Sequence, residues 1–361
     1  FDEPFASLDA RAVDELETLI ADLRTEGGTV VIVEHRVEEA LRLHPDKVLL
    51  MKEGRRTFFG SVADFLEVAD PTQIKLPIEA TLHKLSNPTQ ALQSLVAPIV
   101  TGSQSQHKEP ILTFEHLSYR YSNTTEDVLH DISCHIYKGE TIALLGPNGS
   151  GKTTLVKQAL GLLRPTSGTV QLYGKDIRKL SVAQLAAQIG YVFQSPGAML
   201  FAPTVRKEIS FGPENLKFTK QRLQSSVEQS EAALDIAPID TRSPFSLSFG
   251  QQKRVTIASI LSMQSRILLL DEPTAGQDYR SYIAFMEHLR SLPELDTLLF
   301  ITHDLDLALR FTQRILLLRE GHLVADGPPL QVLADPVLLE RCNLRPTSLL
   351  HYLQRQHGAV P

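Results

Sequence analysis

Cysteine is almost missing from this sequence: Cys134 and Cys342, 208 positions apart, are the two in 361 residues. That is too few for the disulfide framework of a secreted domain or for a cysteine metal cluster, so a reduced, cytosolic setting is expected. An excess of positive charge is missing as well. Lys+Arg 36 against Asp+Glu 42 leaves a net charge of -6, which argues against DNA or RNA as the main partner while leaving a local basic patch open. Long apolar runs are absent too. Stretches such as Ile267–Leu270 and Val48–Met51 fall far short of the ~18 residues that cross a bilayer. The chain opens on Phe1 without a basic, apolar and small-residue export pattern, so a truncated start is expected and a leader is not. What is present in quantity is core material. At 42% hydrophobic content and a length of roughly two domains of about 150 residues, disorder throughout is excluded.

The sequence repeats itself. Asp2-Glu3-Pro4 recurs as Asp271-Glu272-Pro273, an offset of 269. Downstream, Ala6-Ser7-Leu8-Asp9 aligns with Ala275-Gly276-Gln277-Asp278, and Val31–His35 aligns with Leu299–His303. After a one-residue gap, Val48–Gly54 pairs with Ile315–Gly321, and Gly60 with Gly327. Self-similarity of this length reads as two copies of one domain, the first lacking its front. Residues 101–110, rich in Gly, Ser and Pro and poor in apolar side chains, read as part of a linker. In the second copy Thr141–Leu145 is a short apolar run, Gly146–Gly151 a turn and Thr153–Leu163 a helical pattern. Buried strands are further expected at Ile267–Leu270, Leu298–Ile301 and Ile315–Leu318, separated by helical stretches. The alternation predicts an α/β layer with a mainly parallel sheet.

Gly146-Pro147-Asn148-Gly149-Ser150-Gly151-Lys152-Thr153 fits the phosphate-loop pattern in its strand-to-helix setting. Glycines let successive backbone N–H groups face one concavity, and the following helix turns its positive dipole end to an anion held there. Lys152 is then expected on β- and γ-phosphate oxygens and the Thr153 hydroxyl on Mg²⁺. Asp271, ending a buried strand run, is expected to hold Mg²⁺ through water. Glu272, one residue on, suits the polarising of a water that attacks the γ-phosphate.

With these motifs in place, Leu247-Ser248-Phe249-Gly250-Gln251, 20 residues before Asp271, resembles the signature of the ABC ATPases, with Phe249 in the usual glycine position. The resemblance implies a P-loop NTPase fold with an inserted helical subdomain, and ATP sandwiched between the phosphate loop of one copy and the signature of another. It implies ATP contacts from Gly146 through Lys152, Thr153 and Thr154, and in trans from Ser248, Gly250 and Gln251. Gln194 resembles the glutamine that touches Mg²⁺ and the attacking water. His303 resembles the switch histidine on the γ-phosphate, and Asp278 the aspartate that crosses the dimer interface. Tyr121 resembles the aromatic that stacks on adenine, with Tyr119 as its competitor. The organisation expected is a C-terminal fragment of a first nucleotide-binding domain (1–85), a linker (86–110), a complete second domain (111–330) and a C-terminal extension (331–361).

Phe201–Val205, Glu208–Leu216 and the tail from Pro328 to Pro346 are similar to energy-coupling-factor ATPases, which power uptake of vitamins, their precursors or metal ions. That resemblance implies a transmembrane subunit, a separate substrate-binding membrane protein and a peripheral place on the cytoplasmic face of the membrane. Alternatives open at this stage are another ABC importer or exporter, a ribosome-associated tandem protein, and a non-catalytic docking domain. A short protein in which residues 1–85 form a lid is the alternative to truncation.

Overall fold

The computed structural model describes residues 1–5, 8–85, 92, 95–96 and 109–356. Most of the stretch expected to be a linker lies outside the described residues. The N-terminal segment runs α1 (Ala10–Thr25), α2 (Val37–Arg42), β1 (Val48–Lys52), β2 (Arg55–Gly60), α3 (Val62–Val68) and α4 (Ile78–Lys84). The larger unit opens with β3 (Pro110–Tyr119), β4 (Leu129–Tyr137), β5 (Thr141–Leu145), α5 (Lys152–Ala159), β6 (Ser167–Leu172), β7 (Lys175–Asp176), α6 (Val182–Ala186) and β8 (Ile189–Val192). Three helices follow: α7 (Val205–Asn215), α8 (Lys220–Ala233) and α9 (Phe249–Leu261). The chain then returns through β9 (Ile267–Asp271), α10 (Tyr279–Ser291), β10 (Thr297–Ile301), α11 (Leu305–Phe311), β11 (Arg314–Arg319) and β12 (His322–Gly327) to α12 (Pro329–Val332), α13 (Pro336–Arg341) and α14 (Ser348–Gln356).

The main sheet has the order β12-β11-β5-β10-β9-β8 and is parallel except for its edge strand β12. Every residue of β9 and β10 is buried, because both faces of this sheet are covered; that is why these strands read as unbroken apolar runs. Alternate residues serve opposite cores. Ala143, Leu145, Leu268, Leu270, Leu298, Phe300, Ile315 and Leu317 pack on the helical side. Their neighbours Ile142, Leu144, Ile267, Leu269, Leu299, Ile301, Leu316 and Leu318 face a second core. That second core is roofed by an antiparallel sheet of order β4-β3-β6-β7, which the sequence reading did not foresee. Its strand β4 alternates between buried and outward residues, as a sheet with one wet face does.

The expected helix Thr153–Leu163 is shorter in the fold. It ends at Ala159, and Gly161 at φ 66 lets the Leu162 amide turn back to the Lys157 carbonyl. A left-handed glycine of this kind closes the last turn, leaving Leu162 exposed.

The repeated segments share local geometry. Glu3 and Glu272 both carry positive φ, 44° and 48°. Val48 pairs with Gly60 and Ile315 with Gly327, and both hairpins carry a bulge, at Leu50/Met51 and at Leu317/Leu318. Asp9 caps α1 as Asp278 caps α10.

Phe300, wholly buried at the centre of the parallel sheet, tests this architecture. Phe300→Ala is expected to cost about 3–5 kcal/mol in urea denaturation followed by circular dichroism; a cost under 1 kcal/mol contradicts the packing described.

Candidate active site

The carboxyl ends of four adjacent strands, β5, β10, β9 and β8, converge on one cleft of about 250 Å³, lined by Asn148–Thr154, Gln194, Asp271, Glu272 and His303 among others. The loop after β5 curls because Gly146, Gly149 and Gly151 take φ of 143°, 78° and 100°. At Gly146 the need is steric as well, since a Cβ there would lie 2.1 Å from the Leu318 carbonyl oxygen. Gly151 then caps α5, so the helix N-terminus opens toward the cleft.

Lys152 folds back under the loop, its ammonium donating to the Gly146 and Pro147 carbonyls at 2.8 Å each. Gly146 and Pro147 therefore stand behind the lining and hold the lysine. Burial pulls the Lys152 proton affinity below its ordinary value, against the opposing pull of Glu272 and Asp271. The Thr153 hydroxyl donates to Asp271 Oδ2 at 3.1 Å, and the Tyr191 hydroxyl donates to the same oxygen at 3.1 Å. Thr154 is buried, with its hydroxyl 3.3 Å from the Tyr121 hydroxyl. Tyr121 is the more exposed of the two tyrosines and meets Tyr119 edge to face at 4.9 Å; Tyr119 itself is core.

Glu272 turns out of the strand on its positive φ. Its Oε1 is buried without a hydrogen-bond partner, facing His303 Nε2 at 3.4 Å. Burial, reinforced by neighbouring Asp271, pushes the Glu272 carboxyl up to about 8. His303 moves the other way, to about 4, through burial and then the positive field of Lys152 and Arg36. Its imidazole is neutral at pH 7, with Nε2 also 3.1 Å from Asn148 Oδ1. Gln194 presents an exposed side chain to the cleft, and its carbonyl accepts from Lys253.

Ser248, Gly250 and Gln251 do not line this cleft. Ser248 and Gln251 form a reciprocal capping box at the start of α9, which satisfies backbone donors there. Phe249 lies over Gly276, where a Cβ would come 2.4 Å from its ring. Asp278 is occupied as the cap of α10.

Three contributors escaped the sequence reading. Tyr191 braces Asp271, as above. Lys253, wholly buried, donates to the carbonyls of Phe193, Gln194 and Asp271 at 2.9, 3.0 and 3.2 Å. The signal for it was a cation on the same helical face as the buried Thr256 and Ile257. Asp9 comes from the N-terminal segment, accepting the Asn148 amide on Oδ2 at 3.0 Å.

The family model described as ABC transporter matches residues 129–275. A Bacillus cereus protein described as a candidate ABC transporter ATP-binding protein is 35% identical over 384 residues, covering 100% of this chain and 68% of its own length. This chain belongs to the ABC transporter ATP-binding proteins. A Vibrio vulnificus relative is 34% identical over 385 residues, covering 99% of the chain and 67% of its own length. Among solved structures, cbiO1 from Clostridium perfringens, part of the ABC transporter complex cbiONQ, is 33% identical with TM-score 0.58, covering 68% of this chain and all of that one. A bacterial Atm1-family ABC exporter with ATP bound is 25% identical with TM-score 0.57, covering 73% and 45%. The ABC ATPase fold, ATP hydrolysis and the use of ATP with Mg²⁺ follow from this membership. The donor set suits that chemistry. Hard oxygens of Thr153 and Asp271 are what Mg²⁺ takes, and main-chain amides with an ammonium are what phosphate takes.

The Glu272 shift has a sign. Its proton is held more tightly in the folded state, near 8, than at the ordinary 4.5, so its contribution to stability is full below the ordinary value and is lost as pH rises toward 8. Measured without nucleotide or magnesium, the ABC protein is expected to lose about 2 kcal/mol relative to Glu272→Gln between pH 6.5 and pH 8.5. Parallel pH profiles for the two proteins contradict the burial argument.

Proposed function

We propose that the cleft between the ends of β5, β9 and β10 is the ATP-hydrolysing site of a transporter subunit, with each residue acting where the fold puts it. The observation that carries this is the convergence of Lys152, Thr153, Asp271, Glu272 and His303 on one rim. In this reading the amides of Gly149–Thr154 and the Lys152 ammonium bind the β- and γ-phosphates. Thr153, Asp271 and Gln194 would hold Mg²⁺, which would supply positive charge to the phosphates and to neighbouring Glu272. Glu272 then accepts a proton from the attacking water, and neutral His303 orients the γ-phosphate by hydrogen bonding. Tyr121 stacks on adenine. Ser248, Gly250 and Gln251, lying outside this cleft, serve a facing copy's nucleotide.

Residues 1–85 are the C-terminal part of a first nucleotide-binding domain, joined by 86–110 to a complete second one at 111–330, with 331–361 as an extension. The matched glutamates, hairpin bulges and helix caps support this, as does Asp9 meeting the Asn148 amide across the two parts. The share of the Bacillus cereus relative that is covered, 68%, is consistent with a longer tandem protein. The work done is movement: when the γ-phosphate is lost, the bridge between facing copies is lost, and they part.

The likeness to cbiO1, from the complex cbiONQ, supports an energy-coupling-factor role: uptake of a vitamin, a vitamin precursor or a metal ion. The partners are then a transmembrane subunit and a separate substrate-binding membrane protein, at the cytoplasmic face. Among the described residues no helix is long and apolar enough to cross a membrane. Phe201 and Phe211, exposed and packed edge to face at 4.6 Å near the Gln194 loop, offer an apolar contact to the transmembrane subunit.

Lys152→Ala is expected to weaken Mg·ATP binding tenfold or more in calorimetry, whereas Glu272→Gln keeps binding and lowers turnover at this site by roughly two orders of magnitude. An unchanged isotherm for the first variant, or unchanged turnover for the second, overturns the assignment.

A further inference from the structure

The aligned histidines are followed by residues of opposite charge: His35 by Arg36, His303 by Asp304. The difference sits where the two parts of the chain meet. Lys75, in the N-terminal segment, places its ammonium 2.8 Å from Asp304 Oδ1 and 3.0 Å from Asp306 Oδ2. Asp304 also caps α11, accepting the Asp306 and Leu307 amides. Thr347 donates to Asp306. Arg36 lines the same small cavity as Lys75, His303 and Asp304. Burial alone would lower the proton affinity of Lys75, but Asp304 and Asp306 hold it well above the ordinary value. Around the cluster, Arg345 pairs with Glu17 and Asp14, and Glu38 accepts from the Ser348 amide at 2.8 Å.

Lys75 has no charged counterpart in the other repeat. Setting Leu82-His83-Lys84-Leu85 against Leu350-His351-Tyr352-Leu353 gives an offset of 268, the same as His35 to His303, and aligns Lys75 with Asn343. Asn343 lines the same cavity, as expected of equivalent positions on either side of an approximate twofold axis. If two complete domains faced each other symmetrically, Asp304 of one would stand where Arg36 now stands, beside Asp304 of the other, and Asn343 would replace the ammonium that Asp304 and Asp306 share. Four carboxylates would share a poorly solvated seam.

We infer that the Lys75–Asp304–Asp306 cluster, with Arg36 beside it, is a pairing-specificity device: it seats residues 1–85 on the complete domain and rejects a second copy of that domain. Repulsion built against the wrong partner contributes as much as attraction for the right one. The inference rests on the reading of residues 1–85 as part of a paired first copy.

The test uses the whole chain with a protease site inserted between 101 and 108, cleaved after folding and run on size exclusion with light scattering. The parent fragments are expected to co-elute as one 1:1 particle. Arg36→Glu with Lys75→Glu is expected to weaken their association roughly tenfold to a hundredfold, and the released larger fragment, its Asp304 and Asp306 intact, is expected to be monomeric. The exchange Lys75→Asp with Asp306→Lys leaves the Asp304 cap of α11 in place and keeps one ammonium and two carboxylates, and is expected to restore co-elution to within about threefold of the parent. If the parent fragments separate, the paired-copy reading falls and this inference with it. If they co-elute and the charge-reversed fragments do so equally well, the paired copy stands and the charge inference is overturned. Failure of the exchange to rescue, or self-association of the released domain, overturns it as well.

Discussion

The carboxylate of Asp271 is the point on which the rest of the site depends. It stands at the end of a strand buried on both faces, and one of its oxygens takes hydrogen bonds from Thr153 on α5 and from Tyr191 on β8. Its backbone carbonyl takes a third from Lys253 on α9. Phosphate loop, sheet edge and signature helix are thereby referred to a single residue. A shift of α9 is felt at Asp271 through an ammonium that also grips the Phe193 and Gln194 carbonyls. An ammonium wholly buried on three carbonyls is costly to disturb, so the helical insertion is coupled to the catalytic edge by more than loop contact.

Burial also divides the labour between Glu272 and His303. The carboxyl is pushed up and the imidazole down, so two groups 3.4 Å apart are both held neutral before nucleotide arrives. A site poised in this way responds to whatever charge enters it. The N-terminal segment takes part, since Asp9 reaches the loop amide of Asn148 and Arg36 adds to the field at His303. In that segment Glu3 and His35 make the same 3.4 Å approach, but more openly, with side chains 31% and 48% exposed against 9% and 10%.

Much of this was legible in the residues alone. The run Thr141–Leu145 was read to its bounds, and the phosphate loop, Asp271 and Glu272 were read from glycine spacing and strand ends, which are local signals; Gln194 and His303 were expected only through the family resemblance. Other features depend on distance in sequence. Lys75 and Asp304 are 229 residues apart, and no periodicity links them. The antiparallel roof escaped because, although turn residues such as Gly139 and Gly174 bound its strands, the pairing of those strands is set by tertiary contact. The helix expected to reach Leu163 stopped early for a local reason, the left-handed Gly161, which outweighed apolar periodicity.

Triphosphate held by the amides of Gly149–Thr154 is the central claim, and amide hydrogen exchange addresses it most directly. On adding magnesium and a nonhydrolysable ATP analogue, exchange across residues 148–154 is expected to slow tenfold or more, with little change in the buried β3–β4 hairpin. Unaltered exchange in the loop at saturating analogue would contradict the account.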